Sequence, residues 1–343
     1  MALEHQLKVV LAGCGGISRT WLKPALSYPG LEIVGLVDLN LDNARKIQAE
    51  FRLNQAHVGA DVGRVIDETG AKIVFDCTIP EAHTHITLEA LQRGCHVLGE
   101  KPMADTIAHA AQMLGAARSS GKIYAVIQNR RYLDSIIRFR RVIQANAIGH
   151  LTTLNADFYL GAHFGGFRDE MDHVLVLDMA IHSFDQARYI SGTDPVTVYC
   201  HEWNPSGSWY RHGASAMAIF EMSNGVVFNY RGSWCAEGLN TPWECTWRAV
   251  GEQGTALWDG AAGIQAEIAV GAEGFIREKQ GVEIPKLPPL EHTGHEGVIY
   301  EFLDCVKNGG TPQTICTDNI KSLAMVHAAI ESATTGKKIE IKY

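Results

Sequence analysis

The chain has 343 residues, of which 46% are apolar and 20% are charged; this length favours two domains, and the composition excludes a disordered chain or a coiled coil. The 38 acidic residues outnumber the 30 Lys and Arg residues, for a formal net charge of -8. Because a net acidic surface repels phosphate backbones and anionic lipid headgroups, we expect neither nucleic acid nor a membrane as a partner.

The first third of the sequence alternates short apolar runs with segments of helical periodicity. Strands are predicted at Lys8 to Ala12, Glu32 to Asp38, Lys72 to Cys77, His96 to Gly99 and Ile123 to Ile127. Helices are predicted at Ile17 to Tyr28, Leu41 to Phe51, His85 to Arg93 and Thr106 to Ser120. Continuous apolar strands alternating with helices predict an α/β domain over residues 1–125, with a doubly wound parallel sheet covered on both faces.

The pattern changes after a predicted linking helix at Leu133 to Ala145. Apolar and polar residues now alternate, which predicts antiparallel strands with one face covered, at Leu151 to Phe158, Val196 to Glu202, Ala214 to Met222, Val226 to Trp234, Glu244 to Gly251 and Thr255 to Asp259. The segments His295 to Val306 and Asp318 to Ala333 are predicted to be helical, and Ile284 to Leu290 to be a loop. We expect residues 126–343 to form an α+β domain with a large open, mainly antiparallel sheet.

The cysteines and the N-terminus indicate a reducing compartment. The eight cysteines are scattered, without a Cys-x-x-Cys pair or the histidine spacing of a zinc site, so we expect reduced thiols and no metal. The N-terminus does not resemble a secretory signal, and no stretch approaches the ~20 apolar residues that span a bilayer. The expected location is the cytoplasm.

A glycine-rich turn lies between the first predicted strand and helix. It reads Gly13-Cys14-Gly15-Gly16-Ile17-Ser18, close to G-x-G-x-x-G but with Ser18 at the third glycine position. The glycines permit a tight turn and close approach of a pyrophosphate to the helix N-terminus. Asp38 ends the second strand 25 residues after Gly13, where a carboxylate can accept hydrogen bonds from ribose hydroxyls. Because Asp38 would repel a 2′-phosphate, this Rossmann-type pattern favours NAD over NADP.

Two further segments carry candidate catalytic side chains. The predicted fourth strand ends in Gly99-Glu100-Lys101-Pro102, and ligands of doubly wound sheets bind outside the carboxyl ends of the strands. The segment from Leu177 to Asp185 puts Asp178 and His182 at i and i+4 of a predicted helix, on one face. Taken alone, Lys101 is also compatible with a solvated loop residue, and Asp178 and His182 with a helix-start carboxylate and a packed histidine.

In this order, the motifs resemble the Gfo/Idh/MocA family, named for glucose-fructose oxidoreductase, inositol dehydrogenase and MocA. The resemblance covers essentially the whole chain and rests on the glycine loop, the run from Thr78 to His83, the Glu100-Lys101-Pro102 triplet and Asp178-x-x-x-His182. It departs from the family at Ser18, and at Ile79, where proline is more frequent. The cofactor-binding residues that it implies are Gly13, Gly15, Gly16, Ile17, Asp38, Thr78, His83, Glu100 and Lys101.

The resemblance also implies catalytic roles for Lys101, Asp178 and His182 in an NAD-dependent dehydrogenase. Oxidising a secondary alcohol needs a base for the hydroxyl proton, and histidine has a suitable pKa near neutrality, so His182 is the expected base. Lys101 would stabilise alkoxide charge, and Asp178 would orient His182 or bind a neighbouring hydroxyl. The expected substrate is a sugar, inositol, polyol or sugar derivative. The open sheet of the second domain is the expected interface of a homodimer or homotetramer.

Several groups in the second domain could contact a substrate. His163 and Arg168 lie in a glycine-containing segment before the predicted catalytic helix and could bind hydroxyls or an anionic substituent, or simply be solvated. Six of the seven tryptophans lie between Trp203 and Trp258, as sheet core, interface or a sugar platform. The basic residues at 130–131 and 138–141 are typical of a solvated helix face, with binding of a phosphate, sulfonate or carboxylate as the alternative.

Two other functions remain open from the sequence. Some relatives of this family hydrolyse glycosides by transient oxidation of the sugar ring, which needs another acid–base pair; the candidates here are His163, Asp169, Glu170, Asp172 and His173. A nucleotide-binding protein without catalysis is disfavoured because Lys101, Asp178 and His182 are all present. The simpler dehydrogenase is the preferred hypothesis.

Overall fold

The computed structural model describes residues 6–272 and 274–343. The chain divides into two compact units, one formed by residues 6–129 with 291–320 and the other by residues 130–290 with 321–343. The sequence analysis predicted a single domain boundary near residue 125 and assigned all later residues to the second domain. Residues 291–320 instead belong to the first unit, where the Tyr28 hydroxyl donates to Asp304 Oδ1 at 2.6 Å and Phe302 packs on Phe75.

The first unit contains a six-stranded parallel sheet. The strand order is β3-β2-β1-β4-β5-β6, the order of a Rossmann fold. The strands are β1 (Leu7–Ala12), β2 (Leu31–Val37), β3 (His57–Gly59), β4 (Ile73–Asp76), β5 (His96–Gly99) and β6 (Tyr124–Val126). The helices between them are α1 (Ser18–Ala25), α2 (Leu41–Glu50), α3 (Val62–Thr69), α4 (Pro80–Gln92) and α5 (Ile107–Ser120).

The pairing register brings the carboxyl ends of the central strands to one edge of the sheet. Ala12 pairs with both Val37 and Asp76, and Asp76 pairs with Gly99. Every residue of β4 is buried, as expected for a strand covered on both faces. The residues that follow β1, β2, β4 and β5 therefore emerge at the same edge.

Two elements of the first unit, β3 and α3, were not predicted. β3 has only three residues, none of them buried, so it lacks the apolar run that identifies a central strand. α3 begins after Asp61, whose side chain accepts a hydrogen bond from Arg64 N at 2.8 Å. A capping residue followed by Val62, Val65 and Ile66 is an N-terminal helix signal that the sequence analysis passed over.

The second unit contains a nine-stranded mixed sheet, in the order β14-β13-β12-β11-β7-β10-β9-β8-β15. Its strands are β7 (Leu151–Tyr159), β8 (Pro195–Trp203), β9 (Ser215–Met222), β10 (Val227–Ser233), β11 (Thr246–Gly251), β12 (Gly254–Trp258), β13 (Ile264–Val270), β14 (Glu278–Gly281) and β15 (Ile339–Glu340). Helix α6 (Asp134–Gln144) comes before β7 in the chain, and α7 (Phe167–Glu170) and α8 (Ile181–Ser191) lie between β7 and β8. Towards the end of the chain follow α9 (Gly294–Asn308), which belongs to the first unit, and α10 (Cys316–Thr335).

The predicted fold class is confirmed, with two differences in the second sheet. β7 and β10 pair in parallel, although both were expected to be antiparallel to their neighbours. Between β7 and β10 the chain contains a long segment from residue 160 to β8. A crossover connection of this kind permits β7 and β10 to pair in parallel. The strands β13, β14 and β15 were not predicted; β14 is fully exposed and β15 has two residues, so neither carries a usable apolar pattern.

A buried ion pair fixes α8 in the second unit. Arg131 donates to both carboxylate oxygens of Asp185, at 2.7 and 2.6 Å, and the Ser322 hydroxyl donates to the same carboxylate at 2.8 Å. Arg188 extends the cluster by donating to Ser322 at 2.9 Å and to Asp194 at 3.2 Å. Asp185 is only 1% exposed, so its charge depends on these donors.

We predict that Asp185→Asn lowers the free energy of unfolding of the second unit by about 3–5 kcal/mol, because it leaves the Arg131 guanidinium buried beside a neutral amide. Urea denaturation followed by tryptophan fluorescence measures this, since six of the seven tryptophans lie in that unit. Glu221→Gln is the control, because Glu221 pairs with Lys338 on the surface and both side chains are about half exposed. Equal midpoints for the two variants would contradict the prediction.

Candidate active site

The glycine loop after β1 leaves its backbone open. Gly13 has φ of +86°, and a Cβ at this position would lie 2.5 Å from the backbone of Cys77, so only glycine fits. Gly15 and Gly16 are exposed, with no heavy atom within 4 Å of the place that a Cβ would occupy. Ser18, the departure from the glycine motif, is buried and donates its hydroxyl to Gly15 O at 2.6 Å. Ser18 therefore closes the turn instead of blocking it.

Asp38 lies beside this loop. Its Oδ2 accepts a hydrogen bond from Cys14 N at 2.9 Å, and its Oδ1 accepts one from Asn40 N at 2.8 Å. Burial and the Asp38 charge raise the pKa of the Cys14 thiol to about 12, so this cysteine stays protonated and unreactive at neutral pH. The Asp38 carboxylate itself is partly exposed.

These residues fit a dinucleotide. The empty space over Gly15 and Gly16 admits a pyrophosphate, and α1 begins without an acidic residue in its first turn or a side-chain cap on its N–H groups. A partly exposed carboxylate at the end of β2 suits two ribose hydroxyls and opposes a 2′-phosphate. The loop and Asp38 thus have the shape and charge that NAD requires.

A buried polar cluster follows β4. The Thr78 hydroxyl donates to Asp76 Oδ1 at 2.5 Å, and His83 Nδ1 lies 3.1 Å from Asp76 Oδ2. Burial lowers the pKa of His83, but the charge and hydrogen bonding of Asp76, with Glu100 and Glu81, outweigh this and raise the pKa above its usual value. Within the described residues, His83 Nε2 has no hydrogen-bond partner. Thr78 and His83, both predicted from sequence, are therefore held together by Asp76.

Asp76 was missed by the sequence analysis, as was Trp21. The Trp21 indole donates to Glu100 Oε1 at 2.8 Å, and the other Glu100 oxygen accepts from Lys101 N at 3.0 Å. Glu100 is buried and Lys101 half-buried, so Glu100 fixes the backbone from which the lysine extends. An acidic residue at the end of a buried strand was a signal for Asp76; nothing in the sequence links Trp21 to Glu100.

In the second unit, Asp178 lies in a π-helical segment, Leu175–Ala180, directly before α8. The i, i+4 argument assumed a regular α-helix and was wrong in this respect, because a π-helix forms i to i+5 hydrogen bonds and has a wider turn. His182, near the start of α8, is mostly buried at 9% exposure. Such π-bulges occur frequently at functional sites, and no residue pattern in this segment predicted one.

Arg168 and His163 have carboxylate partners in the second unit. Arg168 Nε donates to Asp178 Oδ2 at 2.6 Å. His163 Nε2 lies 2.8 Å from Glu237 Oε1, and its ring stacks on Trp209 with 3.7 Å between centroids. Arg168 is thus joined to a predicted catalytic residue, whereas His163 is largely exposed.

Three further polar residues of this segment pair with residues 202–212, whereas Asp169 Oδ1 is buried and has no hydrogen-bond partner among the described residues. The pairs are Glu170 with Arg211, Asp172 with His212 and His173 with Glu202. The hydrogen bond to Glu202 raises the pKa of His173 above its usual value, against the opposing effect of burial. The tryptophans divide between core and surface, since Trp247 and Trp258 are fully buried and Trp243 is exposed.

The interpretation of residues 130–131 as a solvated basic face was wrong. Arg130 and Arg131 are both buried. Arg130 donates to the carbonyl of Trp243 and lies 3.6 Å from Glu244, and Arg131 binds Asp185. Desolvation makes a carboxylate or carbonyl partner obligatory for a buried guanidinium, and the sequence does not show which residues supply it.

Comparison with protein families identifies both halves of the chain. Residues 7–128 match the model of an oxidoreductase family with an NAD-binding Rossmann fold, and residues 136–257 match the GFO/IDH/MocA C-terminal domain. The fold and site therefore define an NAD-dependent oxidoreductase. The chain belongs to the Gfo/Idh/MocA family.

Three curated relatives align along nearly the whole chain. An uncharacterized protein y4oX of Sinorhizobium fredii is 30% identical, over 98% of this chain and 96% of its own length. The 1,5-anhydro-D-fructose reductase of Ensifer adhaerens is 23% identical, over 97% of this chain and 98% of its own. The scyllo-inositol 2-dehydrogenase (NAD(+)) of Bacillus subtilis is 23% identical, over 99% and 97%.

Solved structures share the fold. An oxidoreductase from Agrobacterium radiobacter, in complex with NAD+, L-tartaric acid and magnesium, superposes with a TM-score of 0.84 at 21% identity and covers 98% of both chains. A levoglucosan dehydrogenase in complex with NADH gives a TM-score of 0.81 at 18% identity, over 98% of this chain and 99% of that one. Within the described residues, no helix has the length and apolarity to cross a membrane.

We predict that the protein prefers NAD over NADP and that Asp38→Ala reduces this preference by at least about tenfold, a free-energy difference of ~1.4 kcal/mol, because the carboxylate that repels a 2′-phosphate is removed. Calorimetric titration with each cofactor measures the ratio of dissociation constants. Asp42→Ala is the matched control, since Asp42 is an exposed residue of α2 paired with Arg45. Equal binding of NAD and NADP by the unaltered protein would show that Asp38 does not contact the ribose.

Proposed function

We propose that the protein oxidises a secondary hydroxyl of a sugar, inositol, polyol or sugar derivative. The single observation that carries the proposal is that one Gfo/Idh/MocA chain contains both a glycine loop that fits NAD, in the first unit, and a mostly buried histidine with a carboxylate nearby in sequence, His182 and Asp178, in the second unit. The names of the relatives, a 1,5-anhydro-D-fructose reductase and an inositol dehydrogenase, support this class of substrate. NAD, when bound, supplies the hydride acceptor.

The chain's own residues then handle the proton and the developing charge. His182 acts as the base for the hydroxyl proton, since an imidazole titrates near neutral pH. Asp178 orients His182 or accepts a hydrogen bond from a neighbouring hydroxyl. Lys101 stabilises the negative charge that develops on the substrate oxygen. In this proposal, the cofactor is bound by Gly13, Gly15, Gly16, Ile17, Asp38, Thr78, His83 and Glu100.

The glycoside hydrolase alternative receives no support. Its elimination step needs an additional acid–base pair, and the candidates Glu170, Asp172 and His173 each form an ion pair within the second unit. Asp169 forms no ion pair among the described residues, but a single carboxylate cannot supply both the acid and the base. His163 is likewise paired, with Glu237. The relatives with assigned activities that are named above are a reductase and dehydrogenases.

We predict NADH formation in proportion to the sugar or polyol oxidised, with loss of ~10²–10⁴-fold in kcat for His182→Ala and for Lys101→Ala, because each removes a group that acts on the reacting hydroxyl. A panel of inositols, hexoses and glycosides, followed by NADH absorbance, measures both. Deuterium at the oxidised carbon should appear in the NADH.

Calorimetric NAD binding by the two variants is the control, since neither substitution should abolish it. Unaltered turnover in His182→Ala at neutral pH would remove that residue from the mechanism. Release of an aglycone without net NADH would replace the dehydrogenase with the hydrolase.

We also propose that the outer face of the second sheet joins two copies of the chain, as a dimer or as part of a tetramer. Along β9, Met217 and Ile219 alternate with buried residues and are about half exposed. Ile219 pairs with Tyr199 of β8, which is also half exposed, so three apolar side chains adjoin on this face. An exposed apolar patch of this kind is typical of a protein interface.

We predict that Ile219→Asp shifts the protein towards monomers, because it places an uncompensated charge in the apolar patch. Size-exclusion chromatography with light scattering measures the mass. Leu26→Asp, an exposed apolar residue after α1 in the first unit, is the control and should leave the mass unchanged. A monomeric unaltered protein, or an assembly that Ile219→Asp does not alter, would contradict the proposal.

A further inference from the structure

We infer that the substrate is an uncharged carbohydrate ring, bound in the second unit through its hydroxyls by the Arg168–Asp178 pair and through its C–H face by the rings of Phe164 and Trp243. The inference rests on the proposed function and narrows its substrate class. It separates neutral sugars and cyclitols from uronic acids and sugar phosphates.

The Arg168–Asp178 pair carries no net charge. Arg168 Nε donates to Asp178 Oδ2 at 2.6 Å, so the guanidinium and the carboxylate are in direct contact and their net charge is zero. An anionic group that approached Arg168 would also meet Asp178, and like charges repel. A neutral hydroxyl meets no such repulsion, whichever of the two side chains it contacts.

The pair retains the capacity to bind hydroxyls. Within the described residues, Asp178 is the hydrogen-bond partner of Arg168, and the bond comes from Nε. The Nη groups of a guanidinium form a planar fork that can donate to two adjacent oxygens. A carboxylate accepts several hydrogen bonds, so Asp178 can receive a hydroxyl in addition to Arg168. Donors and acceptors side by side suit a pair of neighbouring hydroxyls.

The other charged side chains near this segment of the second unit are also paired. Among the described residues of the second unit, each cation of this segment and of the residues that pair with it has a carboxylate partner: His163 with Glu237, His173 with Glu202, Arg211 with Glu170, His212 with Asp172 and Arg130 with Glu244. The segment from 163 to 178 also carries the carboxylate of Asp169. These pairs of the second unit provide no surplus positive charge that would compensate a carboxylate or phosphate on the substrate, and the proposed function assigns Lys101 of the first unit to the reacting oxygen instead of a charged substituent.

Aromatic rings lie beside Arg168. Its guanidinium carbon lies 5.0 Å from the ring centroid of Phe164 and 4.7 Å from that of Phe167. Phe164 is 46% exposed and Trp243 45% exposed, with 6.3 Å between their centroids. Phe164 packs edge-on against buried Trp234, which supports it from behind. Exposed aromatic faces can pack against the C–H face of a sugar, and their negative π-surfaces disfavour anions.

The test compares substrates that differ in one charged group: glucose with glucuronate and glucose 6-phosphate, and myo-inositol with an inositol monophosphate. We expect kcat/KM with NAD to be at least about tenfold higher for the neutral member of each pair that reacts. A charged member that reacts as well as its neutral counterpart, or better, would overturn the inference.

Binding measurements decide the question independently of turnover. Calorimetric titration of the NAD-loaded protein with each pair should give tighter binding of the neutral member. Asp178→Asn, which leaves Arg168 with an unbalanced positive charge, should shift the ratio of dissociation constants towards the charged member by about tenfold. An unchanged ratio in this variant would overturn the charge argument.

Arg168→Gln and its matched control separate a local effect from a general one. Arg168→Gln should raise the dissociation constant of the neutral sugar at least about tenfold and leave NAD binding intact, since hydrogen bonds from a charged donor are lost. Arg141→Gln makes the same charge change at an exposed position of α6 and should alter neither. Equal effects of both variants on sugar binding would contradict the inference.

The experiments distinguish failure of the proposed dehydrogenase function from failure of the inference about neutral sugars. If no member of the panel reduces NAD, the dehydrogenase proposal fails, while preferential binding of neutral sugars would still support the site at Arg168. If charged sugars are oxidised preferentially, the dehydrogenase proposal stands and the inference fails.

Discussion

The close approach of Gly13 to the end of β4 is the constraint on which the cofactor edge of the first unit depends. A side chain there would overlap the backbone of Cys77, so the turn after β1 lies directly against the neighbouring strand. This contact brings the glycine loop to the same edge as Asp76 and Thr78. Asp38 then holds the loop from the other side by accepting the hydrogen bond of Cys14 N. The edge that we expect to bind the nucleotide is therefore built mainly from backbone, with the Asp38 carboxylate beside it.

Charge pairing plays the corresponding part in the second unit. The Arg131–Asp185 pair is buried within a network that also includes Ser322, Arg188 and Asp194, and it fixes the helix that carries His182. The Arg168–Asp178 pair is partly exposed and retains hydrogen-bonding capacity. In our proposal, an ion pair of the same kind serves stability where water is excluded and substrate recognition where it is not, because the cost of leaving either partner unpaired rises steeply with burial.

Sequence periodicity and motif spacing predicted most of the architecture, since continuous apolar strands and glycine turns are local signals. They recovered β5 with its observed bounds and placed Asp38 at the end of β2. They failed where the determining interaction is distant in sequence. The burial of Arg130 and Arg131 depends on residues more than 50 positions away, and the parallel pairing of β7 with β10 depends on the path of a long crossover. The π-helical turn at Asp178 has no recognisable pattern at all.

The two units differ in how sequence change can alter specificity. In the first, Gly13 cannot be replaced because the backbone of Cys77 leaves no space for a Cβ, and the buried Ser18 hydroxyl is held by its hydrogen bond to Gly15 O. In the second, the residues that we assign to the substrate lie in an irregular segment, on a short helix and a π-helical turn, with exposed rings beside them. Substitutions at Phe164, Phe167 or Trp243 change exposed rings, whereas the Arg131–Asp185 pair that holds α8 is buried. Selection for a new sugar can therefore act on that segment while the cofactor edge stays as it is.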